Sequence, residues 1–375
     1  MLMTGTDTAH SVENLENAEN AVLTVTEAAA LWDVEPGYLN TSSYGPPPRP
    51  AWDALQRSLD DWRGGRTSWE PWAEAVSVAR NEFAALVAVD PATVATGAAV
   101  SQLLAPVAAA VPDGTRVLVP DVEFTANVFP WAVHADRGVT VRTAPVDRLA
   151  DAIGRDVDVV AFSAVQSATG EVADLAAISR AARDAGALTV IDTSQAIGWL
   201  PVDADAADLQ VCAAYKWLCS PRGTAFLVHH PSLDERHPDI ASRLRPLAAG
   251  WFAGEVPHES YYGPPLRLAR DARRFDISPA WHCWVGTAPA LQVLVATGAA
   301  AIGEHNIALA NSFLTALDQP PSNSAIVSVP ADDAAVAGLT AAGVRFGLRA
   351  GRVRVAFHLY STADDVATAI GALRG

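Results

Sequence analysis

The stretch Val190-Ile191-Asp192-Thr193-Ser194-Gln195-Ala196-Ile197-Gly198, joined further on by Tyr215-Lys216-Trp217-Leu218 and Pro221-Arg222-Gly223, decides how this sequence is read. Its apolar run is that of a strand buried on both faces. The acid that closes the run sits at the carboxyl end of the strand, the edge where open α/β sheets bind ligands. Lys216 is the only lysine in the chain.

Outward from this core the sequence alternates. Short apolar runs at 93–96, 116–119, 139–142, 157–162 and 188–191 read as strands. Helical spacing appears at 52–62, 73–87, 97–111, from about 125, and at 148–153 and 174–185. Strands separated by helices specify an α/β domain with a mostly parallel sheet covered on both faces. After about residue 285 the pattern turns to alanine-rich helix with short strands at 325–329 and 352–357, the expected smaller α+β domain of residues 285–375. Residues 21–284 are then the large domain, and residues 1–20 a polar, disordered tail. The segment 21–50, with helical spacing at 22–32 and a Gly45-Pro46-Pro47-Pro48 loop, is expected to pack with the small domain.

The chain has 375 residues, 26 basic and 42 acidic, for a formal net charge of −16. Such a surface repels phosphate backbones and anionic lipids, so nucleic-acid and membrane-surface partners are not expected. Its three cysteines, Cys212, Cys219 and Cys283, form no C-x-x-C pair, which suits a reducing compartment and argues against a disulfide framework or a zinc site. The polar, acidic N-terminus lacks the regions of a signal peptide, and no apolar run reaches the length of a membrane span. The expectation is a cytoplasmic protein.

A carboxylate at the end of a strand can hold a pyridine nitrogen protonated, which is what makes pyridoxal 5′-phosphate (PLP) an electron sink. A lysine flanked by Tyr215, Trp217 and Leu218 has its free amine favoured by desolvation, as Schiff-base chemistry requires. A nucleotide-dependent dehydrogenase would need a G-x-G-x-x-G turn, which Gly97-Ala98-Ala99 lacks. A scaffold that had lost its chemistry would be expected to lose Lys216 or Asp192.

The Asp-x-x-Gln…Lys-Trp-Leu…Pro-Arg-Gly set resembles the hallmark of the class V aminotransferase superfamily, in the branch of cysteine desulfurases, kynureninases and isopenicillin N epimerase. The likeness covers nearly the whole chain after residue 35 and implies a fold-type I PLP enzyme and a homodimer with shared active sites. It implies that Asp192 pairs with the pyridine nitrogen, Gln195 hydrogen-bonds the phenolic oxygen, and Lys216 forms the Schiff base. Thr96-Gly97-Ala98-Ala99 resembles the family's phosphate-binding turn, with Ala99 in place of a Thr or Asn, and Tyr215 occupies a position often held by His. Glu123-Phe124-Thr125-Ala126-Asn127 resembles the Glu-His-His-x-Asn stretch, so Phe124 is expected to stack on the cofactor ring and Asn127 to contact substrate. Ser278, in Arg274-Phe275-Asp276-Ile277-Ser278, is expected at the partner subunit's phosphate. Arg354, on the strand Arg352-Val353-Arg354-Val355-Ala356-Phe357, is expected to grip the α-carboxylate of an amino-acid substrate, and Trp251, with Tyr261 and Tyr262, to line the substrate pocket.

Desulfurases carry a nucleophilic cysteine on the loop before that arginine strand. Here residues 343–351 hold none, which disfavours persulfide chemistry. The expectation is Cα deprotonation followed by Cβ or Cγ elimination or a related lyase-type rearrangement. Transamination and epimerisation stand as alternatives.

Overall fold

The computed structural model describes residues 22–374, so the expected tail of residues 1–20 lies outside the described residues. The strands are β1 (Val94–Gly97), β2 (Arg116–Pro120), β3 (Thr140–Ala144), β4 (Val159–Ser163), β5 (Leu188–Asp192), β6 (Leu209–Ala213), β7 (Ala225–His229), β8 (Ile326–Pro330), β9 (Gly347–Arg349) and β10 (Arg352–Ala356). The longer helices are α1 (Arg49–Arg63), α2 (Glu70–Leu86), α3 (Val100–Ala110), α4 (Leu175–Ala185), α5 (Trp281–Thr297), α6 (Ala299–Ala316), α7 (Asp333–Ala341) and α8 (Ala363–Arg374).

The seven-stranded sheet has the order β1-β7-β6-β5-β4-β2-β3. From β6 through β5, β4 and β2 to β3 the pairing is parallel, and β7 runs antiparallel to both its neighbours. Every residue of β4 and β5 is buried, as expected of strands covered on both faces. Successive side chains feed opposite layers. Val160, Phe162 and Ile191 pack with Phe83 of α2 on one side, and Val159, Ala161 and Val190 pack with Leu104 and Val107 of α3 on the other. The rings of Phe83 and Phe226 stack 4.1 Å apart. Helix α4 is bounded as its sequence suggests: the Asp174 side chain accepts from the Ala177 N–H, and Gly186 adopts φ +74° at the C-terminus.

The second sheet, β8-β10-β9, is antiparallel and packs its apolar residues, among them Val327, Val353, Val355 and Phe357, with Leu39 from the start of the chain. Tyr38 and Asn40 form parallel bridges to Arg345 and Ala356, and the Gly37 N–H donates to Asp365 at 2.6 Å. Position 285, where composition shifts, falls inside α5, and that helix packs on α1 and α2. The shift in composition thus begins within a helix rather than at a loop.

Two expected helices are not formed. Residues 148–153 follow a single 3₁₀ turn, Val146–Arg148, pinned by the fully buried Leu149, and the run is too short to complete a helix before Gly154. From residue 125 the chain makes one 3₁₀ turn, Thr125–Asn127, and one short helix, Phe129–Ala132, where Pro130 supplies no N–H. Strands β6, β7 and β9 were not anticipated. Among the described residues no single helix is long and apolar enough to cross a membrane.

Candidate active site

The carboxyl ends of β1, β2, β4, β5 and β6 open onto one cavity of about 280 Å³. Its walls include Ala98, Ala99, Phe124, Asp192, Tyr215 and Lys216, six residues picked out from sequence. A larger depression of about 390 Å³ lies at the opposite, amino-terminal edge of the sheet, around Asp113, Asp158 and Arg236. Its charges are already paired: Arg137 with Asp113, Arg116 with Asp158, and Arg236 with Asp208.

Asp192 closes β5 and is 4% exposed, its carboxylate accepting from the Ser194 N–H at 2.8 Å. Burial pushes its pKa up, and the Lys216 ammonium and the Ser194 contacts pull it down. Lys216 follows β6 on a loop closed by Ala214 N–H to Thr224 O (3.0 Å) and Cys219 N–H to Lys216 O (3.1 Å). It is 7% exposed, with Nζ 5.3 Å from the centre of the Phe124 ring and 5.8 Å from that of Tyr215. Burial lowers its pKa, Asp192 raises it, and Arg354 and Arg349 lower it again. A lysine depressed by desolvation holds more of its amine in the nucleophilic free form.

Phe124 projects from the connection after β2, held by its neighbour Glu123. That carboxylate accepts from the Ser163 N–H (2.6 Å), from Gln166 Nε2 (3.3 Å) and from the Phe124 N–H (2.8 Å). Burial raises the Glu123 pKa, and the charge of Asp192 adds to the effect. Tyr215 lies between the Tyr44 ring (5.7 Å) and the Arg222 guanidinium (4.7 Å).

Ala98, Ala99, Val100 and Ser101 bring the start of α3 to the cavity. An anion there would meet unpaired N–H groups. The Ala98 N–H is not one of them, since it donates to Gln102 Oε1 at 3.1 Å. Gly97 does not line the cavity. It ends β1, where a Cβ would lie 2.5 Å from Gln102 Oε1, so its role is to leave room. The turn is tied down by Asp276, which accepts from the Thr96 N–H (2.7 Å) and pairs with the buried Arg80 (2.6 Å).

The remaining expected residues stand elsewhere. The Gln195 amide is fully engaged by protein, with Nε2 donating to Ser42 O (2.9 Å) and Ser167 Oγ (3.1 Å), and Oε1 accepting from Trp217 Nε1 (2.7 Å). These bonds tie the site's loops together. Asn127 is fully buried one residue beyond the wall, and neither of its amide atoms has a partner. Ser278 is exposed and off the cavity. Trp251 belongs to an aromatic cluster with Trp69 (4.9 Å), Tyr261 (5.3 Å) and Trp281 (6.2 Å), also off the cavity. Packing among these rings outweighs exposure at a polar site.

Arg354 is fully buried behind the wall. It donates to Ser167 O and Oγ and, through Nη2, to Ser43 Oγ at 2.8 Å, while its Nε has no partner. Burial brings its pKa down to about 10, with the charge of Arg349 adding to the effect.

Ser42, Ser43, Tyr44, Ser167 and Arg349 also line the cavity and are not expected from sequence, and Arg222, expected only as part of the Pro-Arg-Gly motif, joins them. The segment 42–45 is a strap across the lysine loop. The Gly45 N–H donates to Tyr215 O (3.0 Å), and a Cβ on Gly45 would lie 1.9 Å from Lys216 O. The only signal in the sequence was the glycine before three prolines. Gly45→Ala is therefore expected to displace the lysine loop, lowering stability by about 1–3 kcal/mol as overpacking does. Turnover should fall about tenfold or more, with reduced cofactor retention after desalting. An unchanged melting temperature and rate would show that the strap yields freely.

The aminotransferase class-V family model matches residues 62–346. A kynureninase of Salinispora tropica is 28% identical over 326 residues, covering 79% of this chain and 75% of the relative. An uncharacterized aminotransferase of Bacillus subtilis, YcbU, is 28% identical over 67% of each chain. Some curated relatives match over less of their length, such as a Deinococcus radiodurans kynureninase over 50%. Among solved structures, the cystine C–S lyase C-DES in complex with cysteine persulfide superposes with TM-score 0.78 at 21% identity, over 91% of this chain and 97% of its own. The Escherichia coli cysteine desulfurase CsdA gives 0.77 at 18% identity, over 94% and 98%. With a parallel sheet whose carboxyl edge gathers Asp192, Lys216 and Phe124, and a family match over most of its length, the chain belongs to the class-V aminotransferase family of PLP-dependent enzymes.

Proposed function

We propose that this enzyme removes the Cα proton of an amino-acid substrate and releases a group from Cβ or Cγ, with Lys216 as the base. The observation that carries the reading is that Lys216 and Asp192, an amine and a strand-end carboxylate, line one cavity. The donors present fit PLP: a buried acid for the ring nitrogen, a sole lysine for the aldehyde, an aromatic ring beside that lysine, and a helix N-terminus for the phosphate. When bound, the cofactor stores the electron pair left at Cα.

The other roles belong to the chain. Asp192 would hold a proton on the ring nitrogen, Lys216 and Ser194 offsetting part of the burial that raises its pKa. Phe124, beside Lys216 on the cavity wall, would pack against the cofactor ring. Start-of-helix N–H groups of α3 and the Arg222 guanidinium receive the phosphate. The Lys216 amine would hold the cofactor and, when free, would take the Cα proton on Nζ. Arg354 offers its free Nε, with Nη2, as the fork for the α-carboxylate. None of the three cysteines lines the cavity, and Cys212 and Cys219 are buried with their thiol pKa values pushed far up. Persulfide transfer therefore has no thiolate at hand, which supports elimination over desulfuration.

A screen of amino acids for 2-oxo acid and ammonia tests the reading. Release of both without an amino acceptor is expected. Strict dependence on a 2-oxo acid acceptor would replace it with transamination. Arg354→Ala is expected to raise KM about 30-fold or more, the loss of a charge-assisted bidentate contact, while the cofactor's absorbance is retained. An unchanged KM would assign the carboxylate to another anchor. We also propose a homodimer, supported by the exposed Ser278 and by the exposed Tyr261 and Tyr262 beside Trp251. Sedimentation at the mass of one 39.3 kDa chain would refute it.

A further inference from the structure

The β9–β10 hairpin carries three arginines on one face. Arg352 stands in register with Arg349, and Arg354 with Gly347, so Arg349, Arg352 and Arg354 share a side of the ladder. Gly347 leaves the space opposite Arg354 open, since a Cβ there would come within 3.3 Å of Arg354 Nη2. Arg352 turns toward β8, donating to Ser328 Oγ (3.1 Å) and Ser328 O (2.8 Å). Arg349 turns the other way and lines the cavity. Its Nη2 reaches Ser43 Oγ at 3.3 Å, the same oxygen that Arg354 Nη2 reaches at 2.8 Å.

Two guanidinium groups thus converge on one neutral hydroxyl. Among the described residues neither takes part in an ion pair. The serine satisfies donors but supplies no charge to offset their repulsion. The chain has an excess of acids and a net charge of −16, yet only one of them, Asp192, lines this cavity, against Lys216, Arg222 and Arg349. In the proposed function Asp192 is committed to the ring nitrogen, Arg222 to the phosphate and Arg354 to the α-carboxylate. Arg349 has no anion assigned to it.

We infer that Arg349 anchors a second acidic group on the substrate's side chain, so that the substrates are amino acids carrying a further carboxylate or similar anion. Arg349 stands at the exposed tip of a hairpin whose turn, Ala350-Gly351, has φ +49° and +73°. Its side chain, held only by Leu348 O (2.8 Å) and Ser43 Oγ (3.3 Å), would exchange these neutral acceptors for an acidic side chain, while buried Arg354 would hold the α-carboxylate.

The inference rests on the reading of Arg354 given above, and the test separates the two. Cofactor-loaded protein is titrated with L-aspartate and L-asparagine, and with L-glutamate and L-glutamine, following the visible absorbance of the bound cofactor. In at least one pair the acid should bind about tenfold tighter than its amide, the size of one charge-assisted contact. In R349Q that preference should vanish, with affinity for the amide changed less than about threefold. Equal affinities within both pairs, or an R349Q variant that weakens acid and amide alike, would overturn the inference. If the amides still respond to Arg354→Ala in either case, the α-carboxylate reading stands. If Arg354→Ala changes the binding of neither acid nor amide, that reading falls and this one with it.

Discussion

Lys216→Ala should yield a folded protein with no visible cofactor band after desalting and turnover reduced by about 10³-fold or more, some 4 kcal/mol of barrier. No other lysine exists in the sequence to replace it. The folded state should survive because the substitution removes a cation whose burial is unfavourable, as its lowered pKa shows. The melting temperature of the cofactor-free protein is therefore expected to hold or rise. That separates loss of chemistry from loss of structure. Lys216→Arg should fail equally, since a guanidinium stays protonated and cannot act as the amine. Measured turnover near the parent's in either variant would remove Lys216 from the mechanism.

Asp192→Asn is expected to lower kcat by about 10²–10³-fold, or 3–4 kcal/mol, while the cofactor stays attached through Lys216. The amide preserves shape and cannot hold the ring nitrogen protonated. The coupling between the two residues gives a second readout. Asp192 raises the Lys216 pKa, so its neutralisation should lower that pKa further and extend the free amine to lower pH. The pH at which the cofactor-free lysine begins to react with an added aldehyde should shift downward. An Asp192→Asn enzyme with the parent's kcat would show that the carboxylate serves only the fold.

The central sheet was legible because β4 and β5 are mostly apolar and carry no polar alternation, their side chains feeding two layers at once. β6 and β7 flank the lysine motif, and no helix separates them to mark them as two strands of the alternating pattern. In the site, Asp192, Phe124 and Lys216 were legible because each stands next to a strand end that the sequence marks. The motif marks Gln195 but not the partners that satisfy its buried amide, Ser42, Ser167 and Trp217, which come from distant parts of the chain. Ser43, Ser167 and Arg349 carried no local signal at all, since long-range closure alone brings them to the cavity. The pairing of Arg80 with Asp276, across 196 positions, was invisible for the same reason.

The strap of residues 42–45 has a bearing on how the enzyme matures. Arg354 is bound to Ser43 across 311 positions and to Ser167 across 187, while Gln195 is bound to Ser42 across 153. Contacts this distant along the chain close slowly, because the entropy of the intervening loops is lost before any bond repays it. The seven-stranded sheet is built from residues 94–229 alone, so it can assemble before the segment 42–45 finds β10. The wall of the cavity is therefore expected to close late in folding, when the segment 42–45 and β10 meet over a sheet already built.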